Sequence, residues 1–197
     1  MIFNQENKKL AEDITDFLKK RSNGKNYVLW EWAIKVPIEN RINELFQHNV
    51  EMKNCLENNK KFIDKGSVLD LGCGFCAYWP FLEKIGFTEF VGFDLYSTRG
   101  QGSQEYMITA RDLVQNFCKK SNFIIVEDDV RFIQDVKNRK PSYYSSQDFN
   151  QEFNKFDLIF TKNTDYQKMG STGIPESIFN EICLNYLKDR GNKIYNG

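Results

Sequence analysis

Residues 68–79 of the 197-residue chain read VLDLGCGFCAYW, and two chemistries compete for them. Cys73 and Cys76 form a C-x-x-C, the spacing of a thiol–disulfide exchange pair. Asp70, Gly72 and Gly74 instead place an acidic residue and two glycines where an apolar run enters a turn. Glycine permits positive φ and lets a ligand approach the backbone closely. The N–H groups that open a following helix then form a small anion site. About twenty residues on, Asp94 ends the run EFVGFDLY, where a carboxylate can accept from both hydroxyls of a ribose. Asp129 ends a third run, NFIIVEDD, where a carboxylate can accept from an exocyclic amine, with Asp128 as the alternative. Together these residues describe a nucleoside site beside a carboxylate-binding turn.

The redox reading explains less. A thioredoxin-like pair also follows a strand and opens a helix. That fold normally has a cis-proline near the pair, at the start of a strand. Here Pro141 lies in a polar stretch and Pro175 at a helix start, so neither is expected to open a strand.

The nucleoside reading requires strands that end together, and the chain alternates strands with helices at the right spacing. Strands are expected at 67–72, 89–96, 122–129, 156–163 and from 192, with helices at 78–86, 102–120 and 175–189 between them. The segment 137–154 is polar and reads as a loop. This succession implies an α/β fold with a doubly wound, mostly parallel sheet covered by helices on both faces. Ligands of such sheets lie beyond the carboxyl ends of the strands. Ahead of this core, 4–21 has helical spacing, with Leu10, Ile14, Phe17 and Leu18 on one face. A second helix is expected from Pro37 to about residue 60. The expected division is a helical cap over 1–60 and a core over 61–197 that ends at about the fifth strand.

Composition narrows the partners. Lys plus Arg and Asp plus Glu are both 27, so the chain lacks the basic surplus of a phosphate-backbone binder. The polar start lacks the apolar core of a signal peptide, and no stretch is long enough to span a membrane. Five cysteines, an odd number, do not suggest a disulfide framework, and a reducing cytoplasm is expected.

Over residues 60–197 the motifs resemble, in order and spacing, those of class I S-adenosylmethionine-dependent methyltransferases. VLDLGCGFC resembles their glycine-rich first motif and VGFDLY their acidic second strand. IIVEDDVRF, FDLIFTKN and YLKDRGNKIY are similar to the three segments that follow. The resemblance implies S-adenosylmethionine as cofactor and S-adenosylhomocysteine as product. It implies that Asp70 orients the turn or meets the methionine amino group. Gly72, Cys73 and Gly74 then form the cradle at the methionine end. Asp94 holds the ribose and Leu95 packs on adenine. Asp129 takes the adenine amine, the Val130 N–H contacts the ring, and Thr161 and Asn163 form the floor. Cys76 replaces the usual third glycine, and its Cβ is expected to crowd the methionine carboxylate. The stretch STRGQGS (97–103) reads as an inserted loop, a lid or a substrate loop. The sixth and seventh strands of the family are missing, which leaves a sheet edge for the aromatic N-terminal segment or a second subunit to cover.

The acceptor implied is a small molecule. The Asn/Asp-Pro-Pro-aromatic run of amino-methylating DNA enzymes is replaced by TKNTDY, and no cysteine follows a proline as cytosine-C5 chemistry requires. Lys162, Asp165 and Tyr166 are the candidate catalytic groups after the fourth strand, and no metal is expected. His48, the sole histidine, reads as a surface residue. Tyr27, Trp30, Trp32, Tyr78, Trp79 and Tyr96 are candidate pocket aromatics. Two alternatives remain: a non-catalytic S-adenosylmethionine-binding subunit, or another nucleoside-cofactor enzyme.

Overall fold

A computed structural model describes residues 4–23, 36–47, 49–95, 103–139, 141–146, 154–162 and 173–196. One sheet organises them. Its strands are β1 (Gly66–Leu71), β2 (Phe87–Asp94), β3 (Asn122–Glu127), β4 (Ser142–Ser145), β5 (Phe156–Lys162) and β6 (Leu187–Asn196), in the order β4-β3-β2-β1-β5-β6. All neighbours run parallel except β3 and β4.

Alternate strand residues feed two apolar layers, as buried parallel strands require. On one face Val68, Phe90, Phe123, Leu158 and Phe160 meet side chains of α1 (Gln5–Ser22), α2 (Ile38–Phe46), α3 (Val50–Glu57), α4 (Trp79–Lys84) and α5 (Ser103–Phe117). On the other, Leu69, Leu71, Val91, Phe93 and Ile159 meet Phe179, Ile182 and Cys183 of α7 (Glu176–Tyr186). A 3-10 turn at Val130–Asp135 and the short α6 (Val136–Arg139) follow β3. Helices on both faces of a mostly parallel sheet make this the doubly wound α/β class expected above. No helix among the described residues is long and apolar enough to cross a membrane.

Local signals account for the element ends. Asn4 caps α1 by accepting from the Asn7 N–H, and Asn23 closes it with φ 42°. Gly86 follows α4 with φ 108°, and a Cβ there would fall 1.7 Å from the Ile63 carbonyl oxygen, so only glycine can turn the chain into β2.

Three expectations need correction. The helix expected from Pro37 to residue 60 is two helices, because the Asn49 side chain accepts from the Met52 N–H and starts a new one. The stretch 137–154 is not all loop. Ser142–Ser145 pairs antiparallel with β3, and Pro141 immediately precedes this strand. Two adjacent tyrosines suit a pleated edge. Finally, β6 starts at Leu187 rather than residue 192. Phe156 pairs with Leu187 and Leu158 with Asn192, so 188–191 bulge out of register.

Candidate functional site

The carboxyl ends of β1, β2 and β3 meet at a cavity of about 210 Å³. One wall is Gly72, Phe93, Asp94 and Leu95, a second is Asp128 to Arg131, and the third is Gly173, Ile174 and Pro175. An open groove of about 400 Å³ shares Leu95, Asp128 and Asp129 with it and adds Glu127, Phe132, Arg139 and Pro141.

The turn after β1 has the backbone that its glycines foretold. Gly72 and Gly74 have φ of 87° and 53°. A Cβ on Gly74 would meet no heavy atom within 4 Å, so this glycine answers to its φ and not to crowding. The N–H groups, however, point inward. Gly72 and Cys73 both donate to the Phe93 carbonyl, at 2.7 and 3.0 Å, and Gly74 donates to Asp94 Oδ2 at 2.8 Å. Cys76 donates to the Cys73 carbonyl and Trp79 to that of Cys76. Pro80, next in the helix, has no N–H. The amides of Gly72, Cys73, Gly74, Cys76 and Trp79 are thus bonded within the fold.

Asp94 therefore has two positions to serve: it lines the cavity and it ties the turn to β2. Asp70 faces the other way. Its Oδ2 accepts from Trp79 Nε1 at 2.8 Å in a buried contact, and Asp70 does not line the cavity. Trp79 is fully buried and stacks on Phe90 with ring centroids 5.0 Å apart. Gly92 makes this possible, since a Cβ there would lie 2.7 Å from Cys73 Sγ and 2.8 Å from Trp79 Cζ2. Tyr78 is likewise buried, its ring edge-on to Phe160. Tyr78 and Trp79 thus pack in the core and are absent from the cavity wall. Tyr27, Trp30, Trp32, His48, Tyr96 and the loop 97–102 lie outside the described residues.

Cys76 has φ 58°, the left-handed conformation in which a glycine would sit without strain. Its side chain is fully buried, so the thiol packs inward and not over the turn. Burial, then the neighbouring Cys73, push its pKa well up. Thiol–disulfide exchange needs an accessible thiolate, and this environment opposes one.

At the end of β3 both aspartates are held by arginines. Asp128 accepts from Arg139 Nε at 2.8 Å and Nη2 at 2.7 Å, and from the Asp129 N–H at 2.8 Å. Asp129 accepts from the Arg131 N–H at 2.9 Å, from Nε at 2.8 Å, and from Nη2. The Arg139 guanidinium also lies over Phe132, 4.1 Å from the ring centroid. The Arg131 side chain, above all, holds Asp129 below the ordinary carboxylate value of 3.8, against the opposing cost of burial. A depressed folded value contributes stability above the unfolded value that is lost as pH falls through the folded one. Acid unfolding should thus draw on Asp129 below pH 3.8, and Arg131→Ala should move its titration back up, measured by carboxyl NMR. An unmoved titration in that variant would exclude the arginine as the cause.

At the end of β5, Thr161 donates its hydroxyl to the Leu71 carbonyl at 2.8 Å. Lys162 is buried, with Nζ 2.9 Å from Glu44 Oε2 of α2 and 5.7 Å from the Tyr78 ring centroid. Asn163, Asp165 and Tyr166 lie outside the described residues. The structure thus brings Gly72, Asp94, Leu95, Asp129 and Val130 to one cavity, and sets Asp70, Cys73 and Lys162 into the surrounding fold. Sequence reading missed Arg131, Arg139, Phe132 and the Ile174 wall. An arginine two residues after a strand-ending aspartate was the available signal for the first; nothing local marks Ile174.

No protein-family profile matches the sequence, and no curated protein matches it. Solved structures do. A ribosomal protein methylase from Lactobacillus delbrueckii is 15% identical with a TM-score of 0.42, over 74% of this chain and 55% of its own. An S-adenosyl-L-methionine-dependent methyltransferase, so described provisionally, from Methanococcus maripaludis is 17% identical with a TM-score of 0.43, over 95% and 62%. Magnesium protoporphyrin IX methyltransferase from Synechocystis, with bound cofactor, is 12% identical with a TM-score of 0.47, over 89% and 73%. The chain spans about half the length of the first two solved structures it matches, 55% and 54%. The fold class rests on the strand order and the two helix layers, not on these likenesses.

Proposed function

We propose that this chain is an S-adenosylmethionine-dependent methyltransferase acting on oxygen or nitrogen of a small-molecule acceptor. The supporting observation is a cavity at the carboxyl ends of three parallel strands, which joins the positive-φ Gly72 to Asp94, Leu95, Asp129 and Val130. Those donor and acceptor types fit a nucleoside. Asp94 suits two ribose hydroxyls, and Leu95, Val130 and Ile174 suit the faces of a purine. Both Asp129 oxygens accept from Arg131, so an exocyclic amine would share this carboxylate with the arginine. Gly74 leaves open space where the methionine end would approach.

When bound, the cofactor supplies an activated methyl group on a sulfonium. The chain's own task is to orient the acceptor in line and to exclude water. In this reading Thr161 and Asn163 form the floor of the reaction site. Asp165 and Tyr166 are candidate proton acceptors for an oxygen nucleophile. Lys162, paired with Glu44, is suited to orient groups and not to take a proton. Residues 1–60 act as a cap over the 61–197 core, the aromatic N-terminal segment or a second subunit covers a sheet edge, and the site of action is the reducing cytoplasm. None of the five cysteines is in a disulfide.

The test combines calorimetric titration with S-adenosylhomocysteine and transfer of a labelled methyl group from S-adenosylmethionine to a panel of small hydroxyl and amine compounds. Binding with label transfer is the expected result. Binding without transfer to any class of acceptor, macromolecules included, would favour a cofactor-binding subunit. A folded protein that binds neither compound overturns both readings.

A further inference from the structure

We infer that Tyr195 is a positioning residue that sets the width of the cavity, through a hydrogen bond to a wall that it does not itself form. This rests on the nucleoside-cofactor reading above. One wall lies at the ends of β1 and β2, and a second, Asp128 to Arg131, continues directly from the end of β3 into the 3-10 turn. The third, Gly173 to Pro175, precedes α7 and belongs to no strand. The Tyr195 hydroxyl donates to the Ile174 carbonyl at 3.0 Å. The Tyr195 ring lies against Phe179, with centroids 5.2 Å apart, and Phe179 is 1% exposed on the first turn of α7. Phe179 in turn donates its N–H to the Pro175 carbonyl. The ring is thus clamped to the helix while its hydroxyl holds the segment just before it.

The register of the sheet gives this contact a counterpart. Tyr195 pairs with Thr161, and Thr161 pairs with Leu71. The Thr161 hydroxyl donates to the Leu71 carbonyl, one residue before Gly72. Two hydroxyls on one cross-strand row therefore hold two of the walls, Thr161 the Gly72 side and Tyr195 the Ile174 side. A purine or ribose inserted between them gains apolar contact only if both walls keep their spacing.

Tyr195→Phe removes the hydroxyl and keeps the ring on Phe179. It should weaken S-adenosylhomocysteine and adenosine by the same factor, about fivefold, the effect of one net hydrogen bond. It should also speed amide hydrogen exchange at 174–178, with a melting temperature within about 3 °C of wild type. A residue that only adds global stability would leave affinity unchanged well below the melting temperature. If wild type binds and Tyr195→Phe matches it within the error of titration, the inference is overturned. If wild type does not bind S-adenosylhomocysteine, the functional reading falls. The exchange rates then decide this inference: faster exchange at 174–178 supports it and unchanged exchange ends it.

Discussion

Asp94→Ala should lower the affinity for S-adenosylhomocysteine by at least about 100-fold. A hydrogen bond to a charged group contributes about 1.5–3 kcal/mol, and two ribose hydroxyls on one carboxylate make two of them. About 1.4 kcal/mol is tenfold in affinity, so losing both reaches that factor. The same substitution frees the Gly74 N–H, which Asp94 Oδ2 holds at 2.8 Å. That part of the loss acts on the turn and not on the ligand. Asp94→Asn separates the two. Its amide oxygen can still accept from Gly74, while its charge is gone, and its loss should be nearer tenfold. Calorimetric titration of both variants, with melting curves alongside, measures each effect. Affinity within threefold of wild type for Asp94→Ala would place the ribose elsewhere.

The strand ends were legible in the sequence because each is written locally. An apolar run that stops at Asp or Gly needs no knowledge of its neighbours, and Gly72, Asp94 and Asp129 all lie on one side of the sheet as read. What failed to read were contacts between distant positions. Asp70 was expected to orient the turn or to meet the methionine amino group, and nothing in VLDLGCGFC reveals that the indole of Trp79 will reach back nine residues to its Oδ2. Lys162 resembled a catalytic group because its partner, Glu44, is on a helix far earlier in the chain. The helix at 38–60 was read through Asn49 because apolar spacing continues across the break, and only the capping contact to Met52 shows two helices. Strand β4 was hidden because an edge strand of four residues carries too little periodicity to stand out from a polar loop. The Ile174 carbonyl accepts from the Tyr195 hydroxyl, twenty-one residues later, and no local pattern marks that contact.

Trp79→Phe should be among the most destabilising conservative substitutions in the chain, at about 3 kcal/mol, although Trp79 does not line the cavity. The indole packs against Phe90 and Gly92 with no exposure, and its Nε1 reaches Asp70, which is only 2% exposed. Phenylalanine fills part of that volume but has no donor, so Asp70 Oδ2 loses a charge-assisted hydrogen bond inside the protein. Losing a hydrogen bond to a buried charge is costlier than losing a neutral one, and the smaller ring leaves a void. For a chain of this size 3 kcal/mol corresponds to a melting temperature lower by roughly 6–12 °C. The change should also weaken ligand binding, because Cys73 and Trp79 pack on the same glycine and the turn at 72–76 rides on that contact. Asp70→Asn in the Trp79→Phe background distinguishes charge from packing. With the charge removed, the double variant should regain about 1 kcal/mol over Trp79→Phe alone. A double variant no more stable than the single one would assign the whole loss to the void. A Trp79→Phe protein that melts within 2 °C of wild type would remove this brace from the account of how the turn is held.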